Sequence, residues 1–295
     1  MPLPGGTMAQ RTDHSIRHES AAQADAAVQP CAFLLELSPD WIVQRASENC
    51  SKLLGESHVT LIGEPLSRFI QADPLHDLRN LFSRLSGSTG TARAYRVRLT
   101  DDRPRFDIAF QISDSGVLLE GIQSAEQGLG ECFGAVGGLA AGLSGSSGKA
   151  LMEAAARRMR ALTGFDRATF LKGRHKATSS RSGVPFPPGA NASLSAHLPM
   201  LIADQNAAPV AVFPRGPNRG LSSALFRAPS ADECAALAER RIASTMRIPV
   251  ILDGKTLGEF RCAHVTPRRP SLEMHAAAEL FAQMVSMRLA MESSG

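Results

Sequence analysis

A proline-rich stretch at residues 201–230 constrains the fold of this chain more than any other feature. It reads LIADQNAAPVAVFPRGPNRGLSSALFRAPS and holds four prolines, and its centre shows neither a helical nor an alternating apolar period. Regular, foldable sequence lies on both sides of it. A segment of this length without secondary structure is uncommon inside a compact domain and is usually functional or disordered. We therefore predict an ordered functional loop.

Length and composition predict two soluble domains. A chain of 295 residues is long enough for two domains that each bury a core. Apolar residues make up 43% of the chain and charged residues 20%, which is typical of globular proteins. The net charge of +4 is scattered, and one Trp and one Tyr leave no stacking platform for single-stranded nucleic acid. We expect no nucleic-acid partner.

The sequence also argues against a membrane span, a secretory signal and a metal site. No apolar run approaches the roughly 18 residues of a transmembrane helix, and the N-terminus lacks the apolar core of a signal peptide. The five cysteines are widely spaced and form no CxxC pair, which favours a reduced compartment and argues against structural zinc. We expect a cytoplasmic protein without a membrane partner.

Changes in composition divide the chain into four regions. Residues 1–27 are polar and small, and form either a disordered tail or an arm that orders by threading another domain. Residues 28–125 contain a strand pair, short helices and three further strands. Residues 126–148 form a Gly-rich linker. Residues 149–292 form a second domain, which opens with an amphipathic helix that Gly164 stops and ends in a long apolar helix.

Two strand patterns carry these predictions. The strand at residues 92–100 alternates, with Tyr95, Val97 and Leu99 on one side and the arginines between them on the other. In the second domain, RIPVIL and TLGEFRCAHV flank Asp253-Gly254, a favoured hairpin turn. The sequence therefore predicts antiparallel sheets in both domains.

No pattern typical of an enzyme is found in the sequence. The segment GSSGK at 145–149 superficially resembles a phosphate-binding loop. Leu143 stands where that motif requires Gly, and Ala150 replaces the hydroxyl residue that would hold Mg²⁺. Since no nucleophile–base pair or metal spacing is present either, we expect that the chain is not an enzyme.

The order of the segments resembles the PAS–GAF photosensory module of bacteriophytochromes. VQPCAFLLELSPDWIVQRASENCSKLLG at 28–55 is similar to the opening of the phytochrome PAS domain, and ALTGFDRATF at 161–170 to the start of its GAF domain. AAAELFAQMVSMRL at 276–289 is similar to the last GAF helix. The stretch 201–230 resembles the lasso segment of that family, and we use this name for it below.

This resemblance implies an α+β fold, a PAS domain followed by a GAF domain, with antiparallel sheets flanked by helices. In the family, the lasso segment encircles the N-terminal arm in a figure-of-eight knot, so the resemblance also implies a knot and a threaded arm. It further implies a biliverdin-type bilin in the GAF pocket.

Several residues of the family's bilin pocket have no match here. The arm at 1–27 contains no Cys, and Cys31 stands where the family has His. Cys234 follows an Arg-Ala-Pro segment but is out of register with the GAF cysteine of plant-type relatives. Each thiol is either a non-standard attachment site or an ordinary core or surface thiol.

The remaining candidate pocket residues are basic or aromatic. Arg227 and Arg247 can meet bilin propionates or be solvated, and His264 corresponds either to a pocket His of the family or to a structural residue. The segment FPPGANA at 186–192 lacks the family's pyrrole-facing Asp. The one Tyr, Tyr95, lies in the PAS half, so the GAF half has no Tyr to line a bilin.

Two functional hypotheses follow. The first is a sensory module with a degenerate bilin site, which signals through protein contacts or a different small ligand. The second is a bilin-binding red/far-red photoreceptor with non-standard attachment through Cys31 or Cys234. In either case an apolar stripe predicts a homodimer through the C-terminal helix, beside an unidentified signalling partner. The stripe comprises Leu272, Leu280, Met284 and Met287, widened by Phe281 and Val285.

Overall fold

The structure is a computed structural model that describes residues 26–85, 91–113, 116–125, 130–181, 183–187, 200–216, 221 and 223–293. Several sequence predictions fall on other residues. Most of the N-terminal arm, the first residues of the linker, the end of the FPPGANA segment and the tip of the lasso segment lie outside the described residues.

The first half of the chain folds into an antiparallel sheet with short helices on one face. Its strands are β1 (Ala27–Val28), β2 (Ala32–Leu37), β3 (Val43–Ser47), β4 (Thr91–Val97), β5 (Phe106–Ser113) and β6 (Gly116–Gln123). Its helices are α1 (Cys50–Leu53), α2 (His58–Leu61) and α3 (Ala72–Ser83). The predicted order of strand pair, helices and three strands is confirmed.

The second half forms a separate antiparallel sheet. Between the halves lies α4 (Glu131–Ala141), and the remaining elements are α5 (Gly148–Thr163), β7 (Arg167–Lys172), β8 (His175–Ser180), β9 (Met200–Ile202), β10 (Val210–Phe213), α6 (Ala231–Glu239), β11 (Ser244–Leu252), β12 (Lys255–His264) and α7 (Leu272–Ser293). The strand order of this sheet is β8-β7-β12-β11-β9. Helices α5 and α7 cover one face, where Phe170, Phe260 and Phe281 are fully buried.

Local sequence explains the turns that end these elements. Asp253 and Gly254 both have positive φ, 48° and 73°, as a two-residue hairpin turn requires, and the predicted hairpin is confirmed. Gly164 has a φ of 65° and ends α5, where the sequence predicts the stop. Ser230 and Glu233 form a capping box at the start of α6.

The lasso segment is more regular than predicted, because it contains β9 and β10. The strand β10 does not join its own domain. It lies in the first sheet, whose order is β1-β10-β3-β2-β6-β5-β4. A strand from the second half of the chain therefore lies in the first sheet, between β1 and β3, a pairing that no local pattern indicates.

The Gly-rich region also differs from the prediction, since it contains the helix α4. Glycine costs a helix about 1 kcal/mol relative to alanine, so the sequence did not indicate one. The helix packs against α7 and α5, and its Val136 is 1% exposed. Tertiary packing therefore offsets the low helix propensity.

The alternation predicted for residues 92–100 is wrong. The register between β4 and β5 shifts between Ala94 and Val97, and Arg96 has a φ of 55°. This bulge inserts a residue and reverses the direction of the side chains that follow. Val97 packs in the PAS core, whereas Tyr95 meets Phe133 of α4 edge to face, with ring centroids 6.2 Å apart.

The stripe predicted on the C-terminal helix is divided between two faces. Leu272, Phe281 and Val285 are fully buried in the core of the second domain. Leu280 and Met287 are 37% and 59% exposed. The part of the helix that can meet a partner is therefore narrower than the sequence predicted.

Candidate functional site

Residues 26–29 lie between two parts of the lasso segment, which we call its limbs. One limb is β10, before the tip, and the other is residues 225–228, after the tip. On one side β1 pairs antiparallel with β10, with Ala27 opposite Ala211. On the other side, Ala228 N donates to Ala27 O and Gln29 N donates to Phe226 O, both at 2.9 Å. The arm is therefore bonded to the lasso segment on both sides. Whether the segment closes around the arm depends on residues outside the described ranges, so the knot stays a prediction.

The side chain of Gln29 reinforces this contact. Its Nε2 donates to Leu201 O at 2.6 Å and to Arg227 O at 3.1 Å, and its Oε1 accepts from Ala203 N at 2.8 Å. The residue is 2% exposed. One buried amide thus satisfies backbone groups from both ends of the lasso segment.

The lasso segment is also bonded to the PAS sheet. β10 pairs with β3, with Val212 opposite Ser47, and Glu48 N donates to Ala211 O at 2.9 Å. The ring of Phe213 stacks on His58, with centroids 4.4 Å apart. These contacts place the limb that precedes the tip in the first domain.

A buried acid holds the other limb. Glu120 of β6 is 1% exposed, and its two carboxyl oxygens accept hydrogen bonds from Leu225 N and Phe226 N, each at 2.8 Å. Burial raises the pKa of Glu120 to about 7, although these two bonds and the charge of Arg93 act to lower it. Glu120 is not among the residues predicted above, although one acid inside the apolar strand GVLLEGIQ is a signal in the sequence.

The face of the second sheet that lies opposite α5 and α7 carries a row of five aligned side chains, four of them polar. Residues that are paired directly across neighbouring strands have their side chains next to each other on the same face of the sheet. The pairing aligns Thr178, Thr169, Arg261, Arg247 and Met200 across all five strands. We call these five residues the arginine row.

Two guanidinium groups are adjacent in the arginine row. Arg247 is 6% exposed, and burial lowers its pKa, with the charges of Glu259, Arg227 and Arg261 acting on it more weakly. Glu259 forms an ion pair with Arg261, whose Nε lies 2.6 Å from Glu259 Oε1. On the other side, the hydroxyl groups of Thr169 and Thr178 lie 3.1 Å apart.

Arg227 lies at the end of the arginine row. Its two terminal nitrogens donate to Glu233 Oε2 and Oε1 at 3.0 and 2.9 Å, and Nη2 also contacts Met200 Sδ at 2.7 Å. Burial acts to raise the pKa of Glu233, but the bonds and charge of Arg227, with bonds at Ser230, hold it below its usual value. Arg227 is 8% exposed and Arg247 is 6% exposed, so of the two alternatives considered for them, solvated side chains do not match the structure.

His264 belongs to a different cluster. Its Nδ1 lies 2.8 Å from Asp166 Oδ2, and its ring meets Phe165 edge to face. Burial lowers the pKa of His264, the charge of Asp166 opposes this, and Arg268 and Arg181 lower it further. His264 lies three residues after Arg261 on β12, and side chains alternate along a strand, so His264 belongs to the other face of the sheet from the arginine row.

The two candidate attachment thiols are separate from each other. Cys31 lies in the turn before β2, and burial raises its pKa to about 12, with the charge of Glu120 acting in the same direction. Cys234 lies on α6, and burial followed by the charge of Glu233 raises its pKa. Because the thiolate is the reactive form, both thiols are weak nucleophiles near neutral pH.

A cavity of about 410 Å³ lies elsewhere, between the two halves of the chain. Among the residues that line it are Arg96 of the β4 bulge, Thr163 at the end of α5, and Arg268 and Glu273 near the start of α7. The described lining contains none of the site residues predicted from the sequence. The arginine row therefore stays the candidate site.

Metal binding and membrane crossing find no support in the described part of the chain. Within it, no group of three or more His, Cys, Asp or Glu side chains is placed to hold a metal ion. No helix among these residues is both long enough and apolar enough to cross a membrane.

The chain matches two domain families, one in each half. The model of the PAS fold matches residues 18–120, and that of the GAF domain matches residues 148–292. No curated protein sequence matches the chain.

Similar solved structures include the chromophore-binding domain of an unusual bacteriophytochrome from R. palustris. It is 23% identical with a TM-score of 0.74, and the match covers 91% of this chain and 96% of that one. The phytochrome photosensory core module of Stigmatella aurantiaca is 24% identical with a TM-score of 0.77, and the match covers 91% of this chain and 58% of that one. These similarities show a common fold. The chain spans almost all of the first structure and about three fifths of the second.

Proposed function

Because this chain is a phytochrome-like PAS–GAF protein, we propose that it acts as a non-enzymatic sensory module with a degenerate bilin site. The observation that carries the proposal is the arginine row, which places two guanidinium groups side by side on the GAF sheet. A small anionic ligand that binds there without a covalent bond is the signal. Carboxylates and phosphates match the planar donor array of a guanidinium group.

The charges of the site support an anionic ligand. Two adjacent cations repel each other in a partly buried site unless an anion compensates them. Arg227, Arg247 and Arg261 act on one another together with Glu233 and Glu259, so this group holds three cations and two anions. A ligand carboxylate or phosphate that binds there adds negative charge to a group with a positive excess.

The residues present do not fit a covalently bound bilin. Burial raises the pKa of the Cys31 and Cys234 thiols above the ordinary value, which lowers the fraction of the reactive thiolate in each. His264 is bonded to Asp166 and belongs to another cluster. The one tyrosine of the chain packs against Phe133 at the boundary between the domains. A bilin that binds here does so through its propionates alone.

An absorbance spectrum of the protein produced together with biliverdin tests this proposal. We expect either no bilin or a loosely bound bilin that denaturation removes, and no reversible red/far-red photoconversion. If a bilin or another dicarboxylate binds, Arg261→Gln should weaken its affinity about tenfold or more, the usual effect of losing a charged hydrogen bond.

Arg174→Gln is the matched control, because Arg174 is exposed in the turn between β7 and β8 of the same sheet. Equal affinities of the two variants would contradict the arginine row as the site. A covalent adduct with reversible photoconversion would instead identify a photoreceptor with non-standard attachment.

The proposed module is a homodimer. Leu280, Met287 and Met291 follow one another along one side of α7 and are 37%, 59% and 66% exposed. The neighbouring helix α4 exposes Gly134 and Gly138, where a methyl group would meet no atom within 4 Å. A second copy that packs its own α7 and α4 against these surfaces buries apolar area on both sides of a two-fold axis.

A further inference from the structure

Glu120 is a buried acid whose hydrogen bonds leave its own domain. It lies on β6 of the PAS sheet, yet its two oxygens accept the backbone N–H groups of Leu225 and Phe226 in the lasso segment. A buried carboxyl group costs stability unless it is hydrogen-bonded. The PAS sheet and this limb of the lasso segment therefore depend on each other at one titratable group.

Two groups among the described residues act electrostatically on this acid. Arg93 of β4 favours the ionised carboxylate, but it is already paired with Glu279 of α7 at 2.7 Å. The thiol of Cys31 lies near the acid, and its raised pKa of about 12 keeps it uncharged. Neither group supplies a full compensating charge.

The limb held by Glu120 leads directly into the arginine row. Arg227 follows Phe226, and its guanidinium group is bonded to Glu233 and contacts Met200. Its carbonyl oxygen accepts a hydrogen bond from the side chain of Gln29, two residues after the arm. If residues 225 and 226 move away from the PAS sheet, Arg227 and the end of the arginine row move with them.

We propose that Glu120 is a proton-linked latch, which holds residues 225–227 against the PAS sheet when it is protonated and releases them more readily when it is ionised. The latch links the PAS sheet to the GAF ligand face whatever ligand binds there. It therefore does not depend on the identity of the signal proposed above.

The direction of the effect follows from the burial of Glu120. Protonation turns one carboxyl oxygen into a donor and weakens one of the two N–H bonds, but the cost of burying the charge is the larger effect. In the closed limb its pKa is raised to about 7 from an ordinary value of 4.5. When the limb opens and water reaches the carboxyl group, the pKa returns towards that ordinary value, so the open state binds fewer protons. Raising the pH therefore favours opening, and between pH 6 and pH 8 the opening constant should rise about tenfold.

Amide hydrogen exchange of Leu225 and Phe226 in the full chain measures this opening. The exchange rates are corrected for the intrinsic effect of pH and converted into opening constants. We expect the opening constant to rise about tenfold between pH 6 and pH 8 in the unaltered protein and to stay unchanged with pH in Glu120→Gln.

Asp107→Asn is the matched control. Asp107 is also a buried carboxyl group bonded to a backbone N–H, but it lies on β5 and bonds to Arg96 N and Ser124 instead. The Asp107→Asn variant should retain the rise of the opening constant with pH.

An opening constant that does not change with pH in the unaltered protein would overturn the latch. So would a rise that persists in Glu120→Gln. A second measurement needs no variant: the amide resonances of Leu225 and Phe226 should titrate together with a midpoint near pH 7. If these resonances do not shift in that range, Glu120 does not act on the limb.

Discussion

Replacing Gln29 by Ala should separate the arm from the lasso segment. The Gln29 side chain makes three hydrogen bonds to backbone groups at 2.6, 2.8 and 3.1 Å, and the residue is 2% exposed. Each bond contributes about 0.5–1.5 kcal/mol, and each buried partner left without a bond adds a further penalty. We expect the free energy of unfolding to fall by about 3–5 kcal/mol.

Urea denaturation provides the measurement, because the single tryptophan, Trp41, is 6% exposed in the core of the PAS domain and reports its unfolding. Limited proteolysis provides a second measurement. In the unaltered protein the residues just before Val28 should resist cleavage, since Ala26 and Ala27 are bonded to the lasso segment. In Gln29→Ala this protection should be lost.

Gln123→Ala is the matched control, because Gln123 is exposed at the end of β6. Its effect should stay within about 0.5 kcal/mol, as is usual for an exposed position. If Gln29→Ala were no more destabilising than this control, or if proteases removed the arm up to Val28 without loss of stability, the reasoning about the arm would be refuted.

Three further predictions follow from other parts of the fold. Light scattering at tens of micromolar should give the mass of a dimer for the unaltered protein and the mass of a monomer for the double variant Leu280→Glu, Met287→Glu. The control Val59→Glu changes an exposed apolar residue of the PAS half and should stay dimeric. Zinc-induced fluorescence of a denaturing gel should show no covalent bilin. A strong band that disappears in Cys31→Ala or Cys234→Ala would contradict this and identify the attachment site. Gly121→Ala should destabilise the protein by about 1–3 kcal/mol, because the new methyl group would lie 2.3 Å from the ring of Phe33. Gly137→Ala, on the open side of α4, should be neutral or stabilising, and equal effects of the two substitutions would contradict the packing at Gly121.

Much of the fold could be predicted from short-range features of the sequence. The Asp253-Gly254 turn, the stop at Gly164 and the strand pair that opens the PAS domain depend on a few neighbouring residues, and the structure confirms them. The candidate site was predicted only in part. Arg227 and Arg247 were both selected from the sequence and lie near each other, but their burial and the presence of Arg261 beside Arg247 were not predicted.

The predictions that failed concern contacts with distant parts of the chain. The bulge at Arg96 directs Tyr95 towards α4, and the packing of α4 against α7 offsets the cost of its glycines. No window of sequence along β4 or α4 contains the partner that decides the outcome.

The sequence by itself determined most of the elements outside the linker and the lasso segment, their order, and the existence of a special loop at 201–230. Only the tertiary structure decided that this loop gives a strand to the PAS sheet and bonds to the arm on both sides. The bonds responsible join residues far apart in the chain, 105 positions for Glu120 and Leu225 and 172 for Gln29 and Leu201. Turn and capping preferences act over a few residues, whereas a buried polar group takes whichever partner the completed fold places beside it.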